Sequence, residues 1–433
     1  MTELVIIADD LTGAADSAAL MTRRGATSIV LDLDEEWPPA AVVAVDTDSR
    51  HRAPGVAAAR VAAAARRARQ VGAPVFKKVD STLRGNIAVE LRALTHALAG
   101  EGRGPLVVVA AAFPATSRTT VGGVVHVDGA RLSAHGSDGD LVGLLTRGGL
   151  RTRLLDPSST LGAAAELAAA FDRAHADGED AVVVDGGTEQ HLETVAAAAR
   201  LARCPLLLAG SGGLARPLAG PAVDAPDSEA ARERPPGASS GRHPLAVVGS
   251  YAAQSRAQLA RLAERGVPVV WLEEVGRRTD DRLRDGLRSG PVALAPHPAA
   301  PVLRGDAPRV ARALAAAAVG VLDVVDDVVA TGGETARAVL GALGATRLDV
   351  LGELEPGVVR CAVPGRGLGL TLKAGAFGDP DTLLRCLTRA THPGGRAGGH
   401  PVAEPATEPI NEPINEPVGE TAGGPLETEE HPG

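Results

Sequence analysis

Lysine is nearly absent from this chain of 433 residues. Lys and Arg together number 44, yet only Lys77, Lys78 and Lys373 are lysines, and they lie in two polar segments. An ammonium group is a compact point charge that binds phosphate and carboxylate oxygens. Its confinement to these segments suggests an anionic ligand, although three lysines decide little without their neighbours.

Aromatic residues are also scarce, at 2% of the chain, and no basic stripe is present in a sequence of net charge −9. The first shortage argues against stacking platforms for single-stranded nucleic acid, and the second against a surface for duplexes. We therefore expect small-molecule partners and no nucleic acid. Whether the chain forms a homodimer stays open.

The three cysteines, Cys204, Cys361 and Cys386, are far apart and form no CxxC or Cys/His cluster. They are typical of small buried side chains in a reducing compartment, and no metal-ligating residues are expected. No apolar run approaches the ~18–20 residues of a membrane span, and no secretory signal precedes the first strand. We expect a cytoplasmic protein without a membrane partner.

Short β-branched runs alternate with Ala/Arg-rich stretches, which predicts an α/β fold with mainly parallel sheets. Strands are predicted first at 4–8, 27–33, 41–46, 74–79, 106–112, 151–155, 181–185 and 205–209, with helices at 14–24, 54–70, 86–99, 160–177 and 189–202. A second unit begins with the run 245–250 and continues with strands near 268–272, 291–295, 327–330, 348–353, 358–363 and 369–372 and a helix near 380–389.

Two segments lack the apolar periodicity of a packed core. Residues 221–243 are rich in Pro, Gly, Ser and charge, and are predicted to link two domains at 1–220 and 244–390. Residues 391–433 are acidic, rich in Pro and Gly, and carry the repeat EPINEPINEPV. Because Pro at every fourth position forbids a helix, we expect this tail to be disordered.

Adjacent carboxylates follow the first predicted strand. In open parallel sheets, ligands bind outside the carboxyl ends of the strands, and Asp9 and Asp10 fall at such an end. They could bind substrate hydroxyls, hold Mg²⁺ or act as a base. Asp10 or Thr12 could equally cap the helix that follows, and one pair of residues can divide these roles.

Two further strand ends carry polar side chains. Arg50, in the segment DTDSR, could clamp a carboxylate bidentately, or could be one more surface arginine. The alternation of a strand places Lys78 and Asp80 on one face and Lys77 on the other, with Ser81 following. These residue types suit a small polyhydroxy acid, although a buried network of salt bridges would use the same types.

The second half has glycines where strands meet helices. Gly249-Ser250, the turn from Thr331 to Thr335, and Gly375 each follow a predicted strand. Glycine lets backbone N–H groups approach an anion closely, and a helix N-terminus favours negative charge. No Walker A or GxGxxG pattern occurs, so three such turns in one domain are the argument for a nucleotide cradle.

Taken together, these segments resemble the four-carbon acid sugar kinase family, the ATP-dependent threonate, erythronate and 3-oxo-tetronate kinases. The resemblance covers roughly residues 4 to 390 and rests on the joint order of seven pieces. These are ADDLTGAADSA (8–18), DTDSR (46–50), KKVDSTLRGN (77–86), AFPATSRTTVGG (112–123), VVGSYAAQSRAQL (247–259), TGGETARAVL (331–340) and LKAGAFGDPDTL (372–383). Ser117 departs from the family, where a Gly before the Arg is more usual.

The resemblance implies an N-terminal acid-sugar-binding domain and a C-terminal nucleotide-binding domain, with ATP and Mg²⁺ meeting the substrate in the cleft between them. Asp10 and Asp80 are the candidate catalytic residues. The implied substrate contacts are Asp10, Arg50, Lys78, Asp80 and Ser81, and the implied ATP contacts are Ser250, Gly332, Gly333, Glu334, Thr335 and Gly375.

Two other functions are weighed against the kinase. A non-catalytic metabolite sensor on the same scaffold would bind tetronates and be stabilised by them without turnover. A doubly wound dehydrogenase would require a dinucleotide fingerprint, which the sequence lacks.

The predicted division of labour can be tested at Asp10. Asp10→Asn is expected to abolish turnover while leaving the affinity for ATP nearly intact, because the residue belongs to the substrate side. Titration of the variant with ATP, alongside a turnover assay, checks this. A loss of ATP binding would refute the domain assignment.

Overall fold

The computed structural model describes residues 1–100, 102–134, 136–155, 164–220, 242–272, 277–298 and 306–391. Residues 221–241 of the predicted linker and 392–433 of the predicted tail lie outside the described residues. We call the predicted domains, residues 1–220 and 244–390, the N-terminal half and the C-terminal half.

The N-terminal half alternates strands with helices. Its strands are β1 (Leu4–Ala8), β2 (Thr27–Val30), β3 (Val42–Asp46), β4 (Val75–Lys78), β5 (Leu106–Ala110), β6 (Arg118–Val121), β7 (Val124–Val127), β8 (Ala130–Arg131), β9 (Thr152–Leu155), β10 (Ala181–Val184) and β11 (Leu206–Gly210). Its described helices are α1 (Leu11–Met21), α2 (Pro54–Val71), α3 (Ile87–Leu98), α4 (Leu141–Arg147), α5 (Ala164–Ala176), α6 (Glu189–Leu201) and α7 (Gly212–Leu218).

The C-terminal half repeats this alternation and then adds antiparallel strands. Its strands are β12 (Leu245–Val248), β13 (Val269–Leu272), β14 (Val292–Pro296), β15 (Asp327–Thr331), β16 (Arg347–Glu355), β17 (Val358–Ala362) and β18 (Gly369–Lys373). Its described helices are α8 (Ala253–Glu264), α9 (Arg277–Leu287), α10 (Ala307–Val319), α11 (Gly333–Ala342) and α12 (Thr382–Thr391).

Fifteen of the strands form one sheet. Their order is β13-β14-β12-β15-β18-β17-β16-β2-β3-β1-β4-β11-β5-β10-β9. The pairings are parallel except at β18–β17, β17–β16 and β16–β2. The predicted mainly parallel α/β fold is therefore confirmed, and within it the two halves share a continuous sheet rather than two separate ones.

Burial on both faces explains the sequences of the parallel strands. The run LVIIA of β1 is wholly buried, with Ile6 and Ala8 in the core on one face and Val5 and Ile7 in the core on the other. Alternate residues of a strand point to opposite faces, so a strand covered on both sides must be apolar throughout. Polar residues are consequently displaced to the strand ends.

Local signals fix the helices that border these ends. The carboxylate of Asp10 accepts a hydrogen bond from the backbone N–H of Gly13 and caps α1. In α2, Pro54 occupies the first turn and Gly72, at φ +71°, ends the helix in the left-handed conformation. Both positions follow the preferences of those residue types, because Pro needs no N–H partner at a helix start and Gly has no Cβ to clash.

The seam between the halves is an antiparallel ladder. Thr27–Val30 of β2 pairs with residues 347–350 of β16, and Ser28 Oγ donates to Asp349 Oδ1 at 3.0 Å. This pairing reverses the direction of the parallel strands from one half to the other. Neighbouring strands twist by roughly 20–25°, which over the six steps from β1 to β15 accumulates to roughly 120–150°. The carboxyl ends of the two halves therefore turn toward each other.

A separate three-stranded sheet, β6-β7-β8, lies beside the main one. This hairpin sheet has tight turns at Gly122-Gly123 and at Asp128-Gly129. Asp185, at the end of β10, accepts the backbone N–H of Gly122 at 2.5 Å and of Gly123 at 2.8 Å. The first turn of the hairpin is thereby tied to the main sheet.

The described helices include none that is long and apolar enough to cross a membrane. None of the three cysteines forms a disulfide; Cys361 and Cys386 are buried, as the sequence predicted, whereas Cys204 is half-buried.

A buried ion pair on the far side of β4 gives a test of the fold. Lys77 Nζ lies 2.7 Å from Glu90 Oε2, and both side chains are almost fully buried. Glu90→Gln would leave the ammonium group without a counter-charge, so we expect the free energy of unfolding to fall by about 3–5 kcal/mol. Urea denaturation measures this change.

The matched control is Asp285→Ala, which removes the exposed partner of Arg288. Exposed pairs contribute little, so this variant should unfold almost like the wild type. Equal small effects of the two substitutions would show that the Lys77–Glu90 pair does not stabilise the fold.

Candidate active site

A single cleft of about 410 Å³ gathers the predicted site residues of both halves. The residues predicted from the sequence that line it are Asp10, Arg50, Lys78, Asp80, Ser81, Ser250, Gly332, Gly333, Glu334, Thr335 and Gly375. They stand at the carboxyl ends of β1, β3, β4, β12, β15 and β18, or in the loops and first helical turns that follow, as their position after strands predicted.

Asp10 serves the helix and the cleft together. Its Oδ1 accepts from Gly13 N at 2.9 Å, and its Oδ2 accepts from Thr12 Oγ1 at 2.6 Å and from Arg50 Nη1 at 2.7 Å. Asp10 therefore caps α1 and lines the cleft at the same time, so the two roles that the sequence suggested for it are compatible. Gly13 is required at this point, since a methyl group there would lie 2.8 Å from Asp10 Oδ1.

Arg50 is the hub of the acidic strand ends. Its Nε and Nη2 donate to the two carboxylate oxygens of Asp9 at 2.8 and 2.9 Å, and Nη2 lies 3.5 Å from Asp80. Burial would raise the pKa of Asp9, but the charge and hydrogen bonds of Arg50 outweigh it and hold that pKa below its usual value. The fork predicted to clamp a ligand carboxylate is occupied by Asp9 along that edge.

Asp80 is held as an anion. Arg84 donates to its two oxygens from Nε at 3.0 Å and from Nη2 at 2.6 Å. Burial opposes ionisation, yet the hydrogen bonds from Arg84 and the charge of Arg50 together lower the pKa of Asp80 far below its usual range. A carboxylate stabilised to this degree is a poor proton acceptor.

The three lysines are all buried, and they divide between three environments. Lys78 lines the cleft, its Nζ donates to Val79 O at 2.9 Å, and burial lowers its pKa against the opposing charges of nearby aspartates. Lys77 points away to Glu90, which confirms the predicted alternation. Lys373 is fully buried, donates to Ala374 O at 3.0 Å and does not line the cleft; burial lowers its pKa to about 8.

Close backbone approaches build the cradle of the C-terminal half. A methyl group at Gly249 would lie 2.0 Å from Thr335 Oγ1, and one at Gly375 would lie 2.2 Å from Ser250 Oγ. Gly332 has a φ of +96°, a conformation that side chains rarely adopt. These glycines let three turns converge at the N-terminus of α11, where backbone N–H groups favour an anion.

The acidic strand ends and the cradle meet. A methyl group on Gly333 would lie 3.4 Å from Asp10 Oδ2. Across the same region, Arg337 of α11 forms an ion pair with Asp46 and lies 3.4 Å from Asp48. A group bound by the glycine turns is therefore adjacent to a group bound at Asp10.

Sequence reasoning missed several charged residues of the cleft, Asp16 and Arg118 among them. Asp16, two turns into α1, lines it, and burial raises the pKa of this carboxyl to about 7. Arg118, at the start of β6, lines it from the hairpin and donates from Nη1 to Ser81 Oγ at 2.6 Å. Both lie inside segments that carry the family resemblance, but neither stands at the end of a strand of the main sheet, which is the position that predicted the other site residues.

Within the described ranges, no group of three or more His, Cys, Asp or Glu side chains is arranged to hold a metal ion. Kinase sites commonly bind Mg²⁺ through one or two carboxylates together with the phosphates of the nucleotide. Glu334 borders the cradle and fits that sparse arrangement.

Comparison with known proteins agrees with this geometry. A sugar-binding N-terminal domain family model matches residues 4–218, and a nucleotide-binding C-terminal domain family model matches residues 291–383. A D-threonate kinase of Cupriavidus necator is 38% identical over 407 residues, covering 88% of this chain and 96% of that protein. A D-erythronate kinase of Heliobacterium modesticaldum is 30% identical over 442 residues, covering 89% and 97%.

The fold is also found in a solved structure. A crystal structure of a Salmonella typhimurium LT2 protein superposes with a TM-score of 0.74 at 23% identity, covering 89% of this chain and 99% of that one. The class defined by fold and site is a nucleotide-dependent phosphotransferase with an acid-sugar pocket. The chain belongs to the four-carbon acid sugar kinase family, as the motifs predicted, and is a kinase.

The raised pKa of Asp16 predicts a pH-dependent stability. Between pH ~4 and ~7 the native state keeps a proton on Asp16 that the unfolded state releases, so stability falls as the pH rises through this window. Asp16→Asn should remove that contribution, which is at most roughly 2–4 kcal/mol. The measurement is the difference in free energy of unfolding between variant and wild type at pH 4 and pH 7.5.

This difference should grow with pH in favour of the variant. Asp34→Asn, at an exposed position, is the control for the exchange of Asp for Asn itself. A difference for Asp16→Asn that does not change with pH would contradict the raised pKa.

Proposed function

We propose that the protein transfers the γ-phosphoryl group of ATP to a hydroxyl of D-threonate, and that it acts on D-erythronate and 3-oxo-tetronate more weakly. The observation that carries this proposal is the contact region of Asp10 with Gly333, which joins a polar acid pocket to a phosphate cradle. The choice of D-threonate rests on 38% identity to a D-threonate kinase against 30% to a D-erythronate kinase.

The N-terminal half, residues 1–220, supplies the acid-binding side. Lys78, which has no carboxylate within 4.0 Å among the described residues, offers an ammonium group to the acid, and Ser81 offers a hydroxyl. Arg50 contributes through Nη1, which has one N–H beyond the bond to Asp10, since its opposite edge is held by Asp9. Its larger role is to neutralise the carboxylates of Asp9, Asp10 and Asp80 and so keep them in place.

The C-terminal half, residues 244–390, supplies the nucleotide side. Ser250 and the turn Gly332–Thr335 bind the phosphates, and backbone around Gly375 covers them. Ser255 Oγ donates to Gly375 O at 2.9 Å, and Gln258 donates to Phe377 O and Asp379 O, so α8 fixes this covering loop. Glu334 would hold Mg²⁺ together with the phosphates of ATP, and the ion would supply neutralisation of phosphate charge.

In the transfer step, the acid's hydroxyl oxygen attacks the γ-phosphorus as the bond to the β,γ-bridging oxygen breaks, and ADP departs with that electron pair. We assign Asp10 to accept the hydroxyl proton and orient the oxygen. Asp80, the other candidate, has its pKa held too low for this task and instead positions Arg84 and Arg50. Phosphoryl transfer needs positioning and charge neutralisation above all, and this cleft offers both.

Motion of the halves is restricted by their seam. The ladder between β2 and β16 and the pair of Arg337 with Asp46 hold the halves together independently of the linker. Closure over the substrates is then a bending about this ladder rather than a swing on residues 221–243. A cytoplasmic location, where ATP is available and thiols stay reduced, completes the proposal.

The function is tested by following ADP release with MgATP and each of D-threonate, D-erythronate and 3-oxo-tetronate. We expect kcat/KM for D-threonate to exceed the other two by at least about tenfold, because a misplaced hydroxyl loses a hydrogen bond in the transition state. Asp10→Asn is the inactive control.

Thermal stabilisation by the acids is measured in parallel. Stabilisation without ADP release would identify a sensor and overturn the proposal. A ranking led by another acid would overturn only the choice of substrate.

A further inference from the structure

Arg118 stands apart from the other arginines of the cleft. Each of the others holds a carboxylate within hydrogen-bond reach: Arg50 pairs with Asp9, Arg84 with Asp80, and Arg337 with Asp46. In the described part of the chain, Arg118 has no carboxylate within 4.0 Å. Burial lowers its pKa, and the charge of Asp80 restores only part of the loss. A half-buried cation without a counter-ion is costly unless a ligand supplies one.

Its donors are also incompletely used. Nη1 donates to Ser81 Oγ at 2.6 Å, while Nε is buried and has no hydrogen-bond partner. The Nε–Nη2 edge is the one that grips a carboxylate with two parallel hydrogen bonds. In Arg50 that edge is filled by Asp9, whereas in Arg118 no described protein acceptor fills it.

The surroundings hold Arg118 at the mouth of the acid pocket. The guanidinium carbon lies 5.8 Å from the centre of the Phe377 ring. The side chain therefore reaches from Ser81 in the N-terminal half to Phe377, in the loop after β18 of the C-terminal half. Asp185 ties the hairpin turn to the main sheet. Ser117, at φ +55°, sets the sharp bend from which β6 departs. The position of Arg118 is therefore built into the fold.

We propose that Arg118 binds the carboxylate of the sugar acid through its Nε–Nη2 edge and selects acids over uncharged polyols. The inference rests on the proposed function and assigns that function's charge recognition to a residue outside the strand ends. A carboxylate held at Ser81 and Arg118 leaves the hydroxyl-bearing part of the substrate to Asp10, which borders the phosphate cradle. A small rotation of the guanidinium on the Phe377 ring would open its buried edge to the ligand.

The test compares an acid with its uncharged counterpart in wild type and Arg118→Ala. D-threonamide replaces the carboxylate of D-threonate by a carboxamide of nearly the same shape. Loss of a charge-assisted bidentate contact should lower kcat/KM for D-threonate by roughly 10–100-fold, mainly through KM. The same substitution should change kcat/KM for D-threonamide by less than about threefold. If the amide turns over too slowly, its inhibition constant against D-threonate replaces kcat/KM.

Two further variants serve as controls. Arg118→Lys keeps the charge and the stem but loses the fork, and should recover only part of the lost activity toward D-threonate. Arg131→Ala, on β8 of the same hairpin sheet, removes an exposed arginine that contacts Asp138 and should leave both substrates unaffected. Thermal unfolding of each variant shows that the fold is retained.

The possible results distinguish binding of the substrate carboxylate by Arg118 from other roles of this residue. An equal loss for acid and amide, seen in kcat, would place Arg118 on the transferred phosphoryl group and overturn the inference. No loss for either substrate would also overturn it. If the wild type releases no ADP with any of the acids, the proposed function itself fails, and binding of D-threonate measured by calorimetry in Arg118→Ala and wild type still decides the carboxylate contact.

Discussion

The backbone ladder between β2 and β16 is the constraint on which the active site depends. It joins two parallel sheets that run in opposite directions, and opposite directions would place their carboxyl ends at opposite edges of a flat sheet. The twist accumulated across the intervening strands is what turns both sets of ends toward one cleft. Site formation is thus a property of the whole sheet, and no single loop could produce it.

Within the cleft, two arginines neutralise the charge of three neighbouring aspartates. Arg50 offsets Asp9, Asp10 and part of Asp80, and Arg84 offsets the remainder of Asp80. Asp9 and Asp80 therefore stay ionised close together, and a substrate carboxylate meets the cations that are left. Among the described residues, Lys78 and Arg118 are the cations of the cleft without a carboxylate within 4.0 Å, and they are suited to an anionic ligand.

Much of this arrangement was predictable from short-range signals. Buried parallel strands must be apolar, so polar residues after such runs predicted the positions of Asp10, Lys78, Ser250 and Gly375 in the cleft. Glycine spacing predicted the cradle for a similar reason. The antiparallel seam was not foreseen, because the pairing of residues 27–30 with 347–350 leaves no local trace.

The sequence also could not predict which charged residues form ion pairs with each other, because these pairs depend on tertiary contacts. Arg50 and Arg118 are indistinguishable as letters, and only tertiary contact shows that Asp9 engages one and spares the other. Lysine scarcity was informative for Lys78 but not for Lys373, which packs away from the cleft. Ser117 offers a finer lesson: its φ of +55° explains why glycine is the more usual residue there.

The shared sheet also limits which sequence changes such a protein can accumulate during evolution. Loops around the acid pocket can vary while the glycine turns stay as they are, because the two sets of contacts arise from different strands. The halves themselves are not interchangeable parts, since separating them would uncover two strand edges, each a template for unwanted pairing. Single substitutions in the acid pocket can change substrate recognition, but the two halves of the sheet have to be retained together.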